Sequence, residues 1–122
     1  MMKKIRAYSD ILQDFAAPLL HSKDNCEEFV LKLKVAELVW NYCITEDLDL
    51  PISIQMEKAI QESNKLHPEM EIVVKLMKEL KKHEFKDYRN FIVKTEYRIK
   101  PDGSRTLYVE SLEPEGLKHL LQ

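Results

Sequence analysis

Val93-Lys94-Thr95-Glu96-Tyr97-Arg98-Ile99-Lys100, then Pro101-Asp102-Gly103, then Ser104-Arg105-Thr106-Leu107-Tyr108-Val109: this stretch decides the fold. Val93, Thr95, Tyr97 and Ile99 alternate with Lys94, Glu96, Arg98 and Lys100, which is the two-residue period of a half-buried strand. Nothing upstream reads this way. Pro suits the first position of a type I turn, Asp the next, and Gly the left-handed position that closes a three-residue loop. That loop pairs Lys100 with Ser104 and sets Tyr97 opposite Leu107, Thr95 opposite Val109 and Lys94 opposite Glu110. Apolar then meets apolar on one face and opposite charges meet on the other. A four-residue loop would throw Leu107 onto the polar face, because a one-residue slip inverts every side chain. An isolated hairpin is marginal in water, so its apolar face must lie on helices.

Those helices are legible as apolar stripes. Ile5, Tyr8, Leu12, Phe15 and Leu19 predict a first helix over 4–20. Asp24 or Asn25 can cap a second, with Glu27 and Glu28 in its positive first turn. This helix, over 24–44, is apolar round more than half its circumference and is read as the central core helix. Phe29, Leu33, Trp40 and Ile44, with Leu12 and Phe15, are the predicted core. Thr45 to Pro51 reads as an acidic loop. A short third helix over 53–64 carries Ile52, Met56, Ala59 and Ile60 on or beside it. His67-Pro68-Glu69 reads as the start of a fourth, over 69–83, striped by Met70, Val73, Met77 and Leu80 and extendable through Phe85 and Tyr88. The hairpin spans 93–110, and a last helix starts near Pro114 and buries Leu117, Leu120 and Leu121. The expected fold is mostly α (α+β), four or five helices with a C-terminal β-hairpin packed on them, as a single small globular domain over 1–122.

Composition narrows the function classes. A chain of 122 residues, 44% apolar and 33% charged, can bury a core, and its two glycines build no phosphate loop. No window approaches the ~20 apolar residues of a membrane span. Cys26 and Cys43 lie ~25 Å apart along one predicted helix and cannot bond to each other. Two free thiols and no leader pattern point to the cytoplasm.

The net charge of −2 hides a division: residues 24–74 hold four Lys against eleven acids, and residues 75–105 hold ten Lys or Arg against five. On a continuous helix Lys75, Lys78, Lys82, Lys86 and Arg89 share one side, and Arg98, Lys100 and Arg105 add charge on the hairpin. These residues, Lys75, Lys78, Lys82, Lys86, Arg89, Arg98 and Lys100, are the candidate interaction surface. The stripe reads first as a solvated face, steadied by Glu71–Lys75 and Glu79–Lys82 pairs or docked on acidic surface; second, as a phosphate-tracking face.

Catalytic and metal motifs are mostly absent. His21, His67, His83 and His119 are scattered, no Ser sits in a nucleophile elbow, and no cofactor or metal is implied. Glu46, Asp47 and Asp49 cluster without the spacing of a calcium loop. His83-Glu84 reads as a helix terminus rather than an acid/base pair, and Trp40 with Tyr42 as core packing.

Strand, turn, strand, then Leu112-Glu113-Pro114-Glu115-Gly116 and Leu120-Leu121, is similar in outline to the wing and following helix of winged-helix regulators. The likeness covers the last quarter and implies that the Lys75–Arg89 segment would read a major groove. No compact helix-turn-helix is legible upstream, and the turn is tighter than a long basic wing. The expected function is therefore a non-catalytic protein–protein interaction or regulatory module, its partner another protein, a second copy of itself included. The alternative is a nucleic-acid-binding domain using a basic helix 75–89 and the hairpin. A further alternative is a small enzyme whose site only the fold assembles.

Overall fold

The computed structural model describes residues 7–21 and 24–121. Among them five helices and one hairpin follow in the order α1 (Tyr8–Ala16), α2 (Cys26–Asp47), α3 (Ile52–Leu66), α4 (Met70–His83), β1 (Phe91–Ile99), β2 (Arg105–Leu112) and α5 (Pro114–Leu121). The chain is mostly α, with one two-stranded antiparallel sheet. No helix among the described residues is long and apolar enough to cross a membrane.

The hairpin has the register its turn residues dictate. Tyr97 pairs with Leu107, Thr95 with Val109 and Lys94 with Glu110. Lys100 N–H donates to Ser104 C=O at 2.7 Å and Gly103 N–H to Lys100 C=O at 2.8 Å, closing the Pro101–Gly103 loop. Gly103 sits at φ +86°, a conformation costly for any side chain. One feature departs from the simple alternation. The strand begins at Phe91, and the pairing skips Val93, which is left as a β-bulge between Ile92 and Lys94. The extra residue turns Val93 out to solvent and Ile92 into the core.

The ends of the helices correct the sequence reading where local chemistry overrides the apolar stripe. α1 stops at Ala16 rather than 20, because Pro18 has no N–H to continue the ladder and Ala17 closes a tight turn on Asp14; Ile5 lies outside the described residues. Asn25 caps α2, its Oδ1 accepting from Glu28 N–H at 2.8 Å, while Asp24 takes Lys32 at 2.7 Å. α2 runs on to Asp47, so Thr45 to Asp47 are helix and not loop. It ends in a Schellman motif: Asp49 adopts φ 57°, Asp49 N–H reaches Glu46 C=O and Leu50 N–H reaches Thr45 C=O. α4 starts at Met70, with Pro68 in the turn before it.

The core centres on α2, as expected. Trp40, Leu33, Ile44, Phe15 and Leu12 are buried, joined by Val39, Met77 and Ile92. Trp40 meets Phe15 edge-to-face at 5.1 Å, and Phe15 meets Phe85 at 5.7 Å. Phe29 is only half buried: it packs at the edge of the core, 4.8 Å from the Tyr97 ring on the hairpin. On α5, Leu117 is buried but Leu120 is exposed. The first turn of α5 packs on Leu112 at the end of β2, where a Cβ at Gly116 would come within 2.9 Å; Leu120 faces solvent, and the Leu121 side chain lies outside those described.

Candidate functional site

The predicted basic stripe is broken and regrouped. α4 ends at His83, so the stretch 75–89 is not one helix. Phe85 turns inward to the aromatic cluster, with its N–H closing a wide turn on Leu80 C=O at 3.0 Å. The chain after it folds back along the C-terminal end of α2. There Lys78 and Lys82 from α4, with Lys86 and Arg89 from the segment beyond, line a recess of about 330 Å³. Its other walls are Tyr42, Cys43, Ile44, Glu46 and Asp47 of α2. Lys75 lies outside, paired with Glu71 at 3.7 Å. Arg98 and Lys100 are elsewhere on the hairpin, Arg98 held to Glu96 at 3.0 Å with its guanidinium over the Tyr108 ring.

A fifth base in the recess, Lys81, escaped the sequence reading. It is buried, its Nζ donating to Phe85 C=O at 3.0 Å and lying 4.7 Å above the Trp40 ring. Burial pulls its ammonium below the ordinary lysine range, against the nearby Cys43 and Asp47. The signal was present in the spacing: Val74, Met77 and Lys81 fall on the same arc of α4, so a lysine occupies a core position.

Two further groups of the recess, the Tyr42 phenol and the Cys43 thiol, hold their protons. Tyr42 donates its hydroxyl to the Glu46 carboxylate, and that bond, with burial, keeps the phenol protonated far above its usual range. Burial pushes the Cys43 thiol up to about 11, against the pull of Lys81. At neutral pH it is a thiol, not the thiolate that attacks or ligates. Arg89 and Asp47 approach to 3.5 Å with both side chains mostly in water, a weak pair. This contact, with the Lys78 ammonium 4.8 Å above the Tyr42 ring, docks basic residues on the acidic end of α2 within one molecule.

A second, larger concavity is apolar. It measures about 660 Å³ and is lined by Leu19 after α1, Leu31 and Val35 on α2, Leu66 on α3, and Met70 and Val73 on α4. Leu31 and Val35 are one turn apart on α2, which aims both at the same side. Leu31 is 58% exposed and Leu66 78%. On α4 the apolar surface continues round the helix from Val73 to the exposed Leu76 and Ile72. At ~100° per residue this shoulder and the one bearing Lys75, Lys78 and Lys82 flank the buried arc of Val74 and Met77 on its two sides. Glu28, Glu62 and Glu69 line the groove along with Lys32 and His67, and Lys32 is already held by Asp24. The sequence reading did not single out Leu31 or Leu66, because only the fold shows which apolar residues outside a core stripe share one hollow.

His83 is exposed at the end of α4 and reaches Glu79 at 3.4 Å; it faces no acid/base partner in a cavity. Among the described residues no three His, Cys, Asp or Glu side chains converge as metal ligands would. No protein-family model matches the chain, and no match was found among curated proteins or solved structures.

Proposed function

We propose that this protein acts by contact, as a non-catalytic module that holds an amphipathic helix of another protein in the groove between α2, α3 and α4. The observation that carries this reading is the exposure of Leu31 and Leu66 across an apolar hollow of about 660 Å³. Large apolar side chains gathered on one surface mark interaction sites more often than chance scatter does. A groove walled by parallel rows of i, i+4 residues suits the apolar face of a helix. Glu28, Glu62 and Glu69 along it favour a partner with basic flanks. We place this activity in the cytoplasm, where unbonded thiols such as Cys26 and Cys43 persist.

The test uses two synthetic helices with one leucine face and either lysine or glutamate flanks. Titrated into the full chain, the lysine-flanked helix binds saturably and the glutamate-flanked one far more weakly. Leu31→Ser with Leu66→Ser weakens the first by about tenfold or more, the loss of two apolar contacts. Equal binding of both helices, or binding indifferent to the two substitutions, contradicts the proposal. The mass in solution of the chain alone then tells whether a second copy supplies the helix.

A further inference from the structure

The basic recess at the end of α2 carries an inference of its own, independent of the groove. We propose that it binds a small soluble anion of the phosphate class, a pyrophosphate or phosphomonoester.

Charge is the first argument. Five basic side chains line the recess against two carboxylates, Glu46 and Asp47. The C-terminal ends of α2 and α4 each add about half a negative charge, which leaves a surplus of about two positive charges. A dianion cancels that surplus. Both carboxylates are already engaged, Glu46 by the Tyr42 hydroxyl and Asp47 by Arg89. Among the described residues Lys78, Lys82 and Lys86 have no carboxylate within ion-pair distance, whereas Lys32 and Lys75 do.

Shape and rigidity are the second. The bases surround a hollow instead of running along a ridge, and about 330 Å³ is at the small end of small-molecule sites. A duplex needs a long convex track, which the break after His83 removes. One donor and the backbone that carries two others are held before any ligand arrives. Lys81 is fixed by the Phe85 carbonyl and the Trp40 ring. The segment bearing Lys86 and Arg89 is pinned at both ends, by buried Phe85 and by Asn90, whose C=O accepts from Trp40 Nε1 at 2.9 Å and whose N–H donates to the Tyr8 hydroxyl at 3.1 Å. Fixed donors lose little freedom on binding. Crowded ammonium groups repel, and an anion among them turns that repulsion into attraction.

Calorimetric titration of pyrophosphate into the full chain tests this. The expected result is saturable binding at one site that weakens as salt rises. Lys82→Gln with Lys86→Gln, both exposed and so compatible with folding, reduces affinity by about tenfold or more, the effect of lost charge-assisted contacts. Lys75→Gln, on the same helix but outside the recess, leaves it unchanged. Circular dichroism and Trp40 fluorescence verify that each variant is folded. Absence of saturable binding overturns the proposal, and so does equal affinity in the double variant. Tight duplex DNA binding that the double variant loses and pyrophosphate does not displace also overturns it, in favour of a nucleic-acid contact.

Discussion

The side chain of Asn41 closes a two-bond ring with the backbone of Ile92: its Nδ2 donates to Ile92 C=O at 2.8 Å, and Ile92 N–H donates to its Oδ1 at 2.8 Å. Both groups are buried. Ile92 is the residue before the bulge, where β1 turns its N–H and C=O away from β2. At neutral pH a carboxamide offers donor and acceptor side by side to such an edge, which an ionised carboxylate does not. Asn41 thus joins the hairpin to the central helix beside the bulge, at the residue that enters the core.

Removing that ring leaves two buried backbone groups unpaired. Asn41→Ala is expected to cost about 2–6 kcal/mol in urea unfolding, at about 1–3 for each orphaned group. Asn41→Asp keeps the size but presents an acceptor to Ile92 C=O, and its loss should shrink when the carboxyl is protonated. A cost below about half a kcal/mol for the alanine variant, within ordinary surface scatter, would mean that the pairing does not anchor the hairpin.

Leu33 and Leu31 lie two residues apart on α2 but differ in surroundings, Leu33 being 2% exposed and Leu31 58%. Leu33→Ala should destabilise by about 2–5 kcal/mol, the usual cost of a large core cavity. Leu31→Ala should stay within about half a kcal/mol, since its value lies in contact with a partner. The fluorescence of buried Trp40 follows both transitions.

Glu37 carries a half-buried carboxylate that accepts from the Thr95 hydroxyl at 3.2 Å. Desolvation raises its pKa above the ordinary 4.5, the hydrogen bond from Thr95 and the charge of Lys34 opposing. A raised folded-state value means that the protonated form fits the fold better, so stability associated with this group is present at acid pH and lost as pH rises through the folded value. Glu37→Gln keeps an acceptor for Thr95 without the charge. It should therefore stabilise the protein at pH 7, with the gain vanishing below about pH 4, where glutamate is itself neutral in both states. Urea melts of both chains across that range give the answer; a gain that persists at acid pH would assign the effect to packing.

Cys26 and Cys43 are both unbonded. Thiol titration after unfolding without reductant should find two groups. In the folded chain Cys43 should react slowly at neutral pH and speed up as pH approaches 11, where its thiolate forms. Rapid modification of Cys43 at neutral pH would contradict the protonated state assigned to it.

The hairpin was legible because its information is local: Pro101-Asp102-Gly103 fixes the loop, and the loop fixes the register. The bulge at Val93 was not, because it lies beside Ile92, whose partner Asn41 is 51 residues away in sequence. The helices were visible as stripes, but Pro18 and the inward turn of Phe85 set two of their ends, and the latter divided the basic stripe. The site was half legible. Lys78, Lys82, Lys86 and Arg89 were identified as a set, though they meet around a hollow and not along one helix. Lys81 was hidden in the apolar arc it shares with Val74 and Met77. The groove was invisible, since it exists only where three helices and the turn after α1 adjoin.

If the groove is where the protein acts, methyl resonances will say so most directly. Titrating the lysine-flanked leucine helix into methyl-labelled protein should shift Leu31, Val35, Leu66 and Val73 together, with one affinity, and leave Val109 and Leu112 on the hairpin unmoved. Shifts centred on the hairpin, or none at concentrations that saturate the peptide's own signals, would contradict a contact function for this surface.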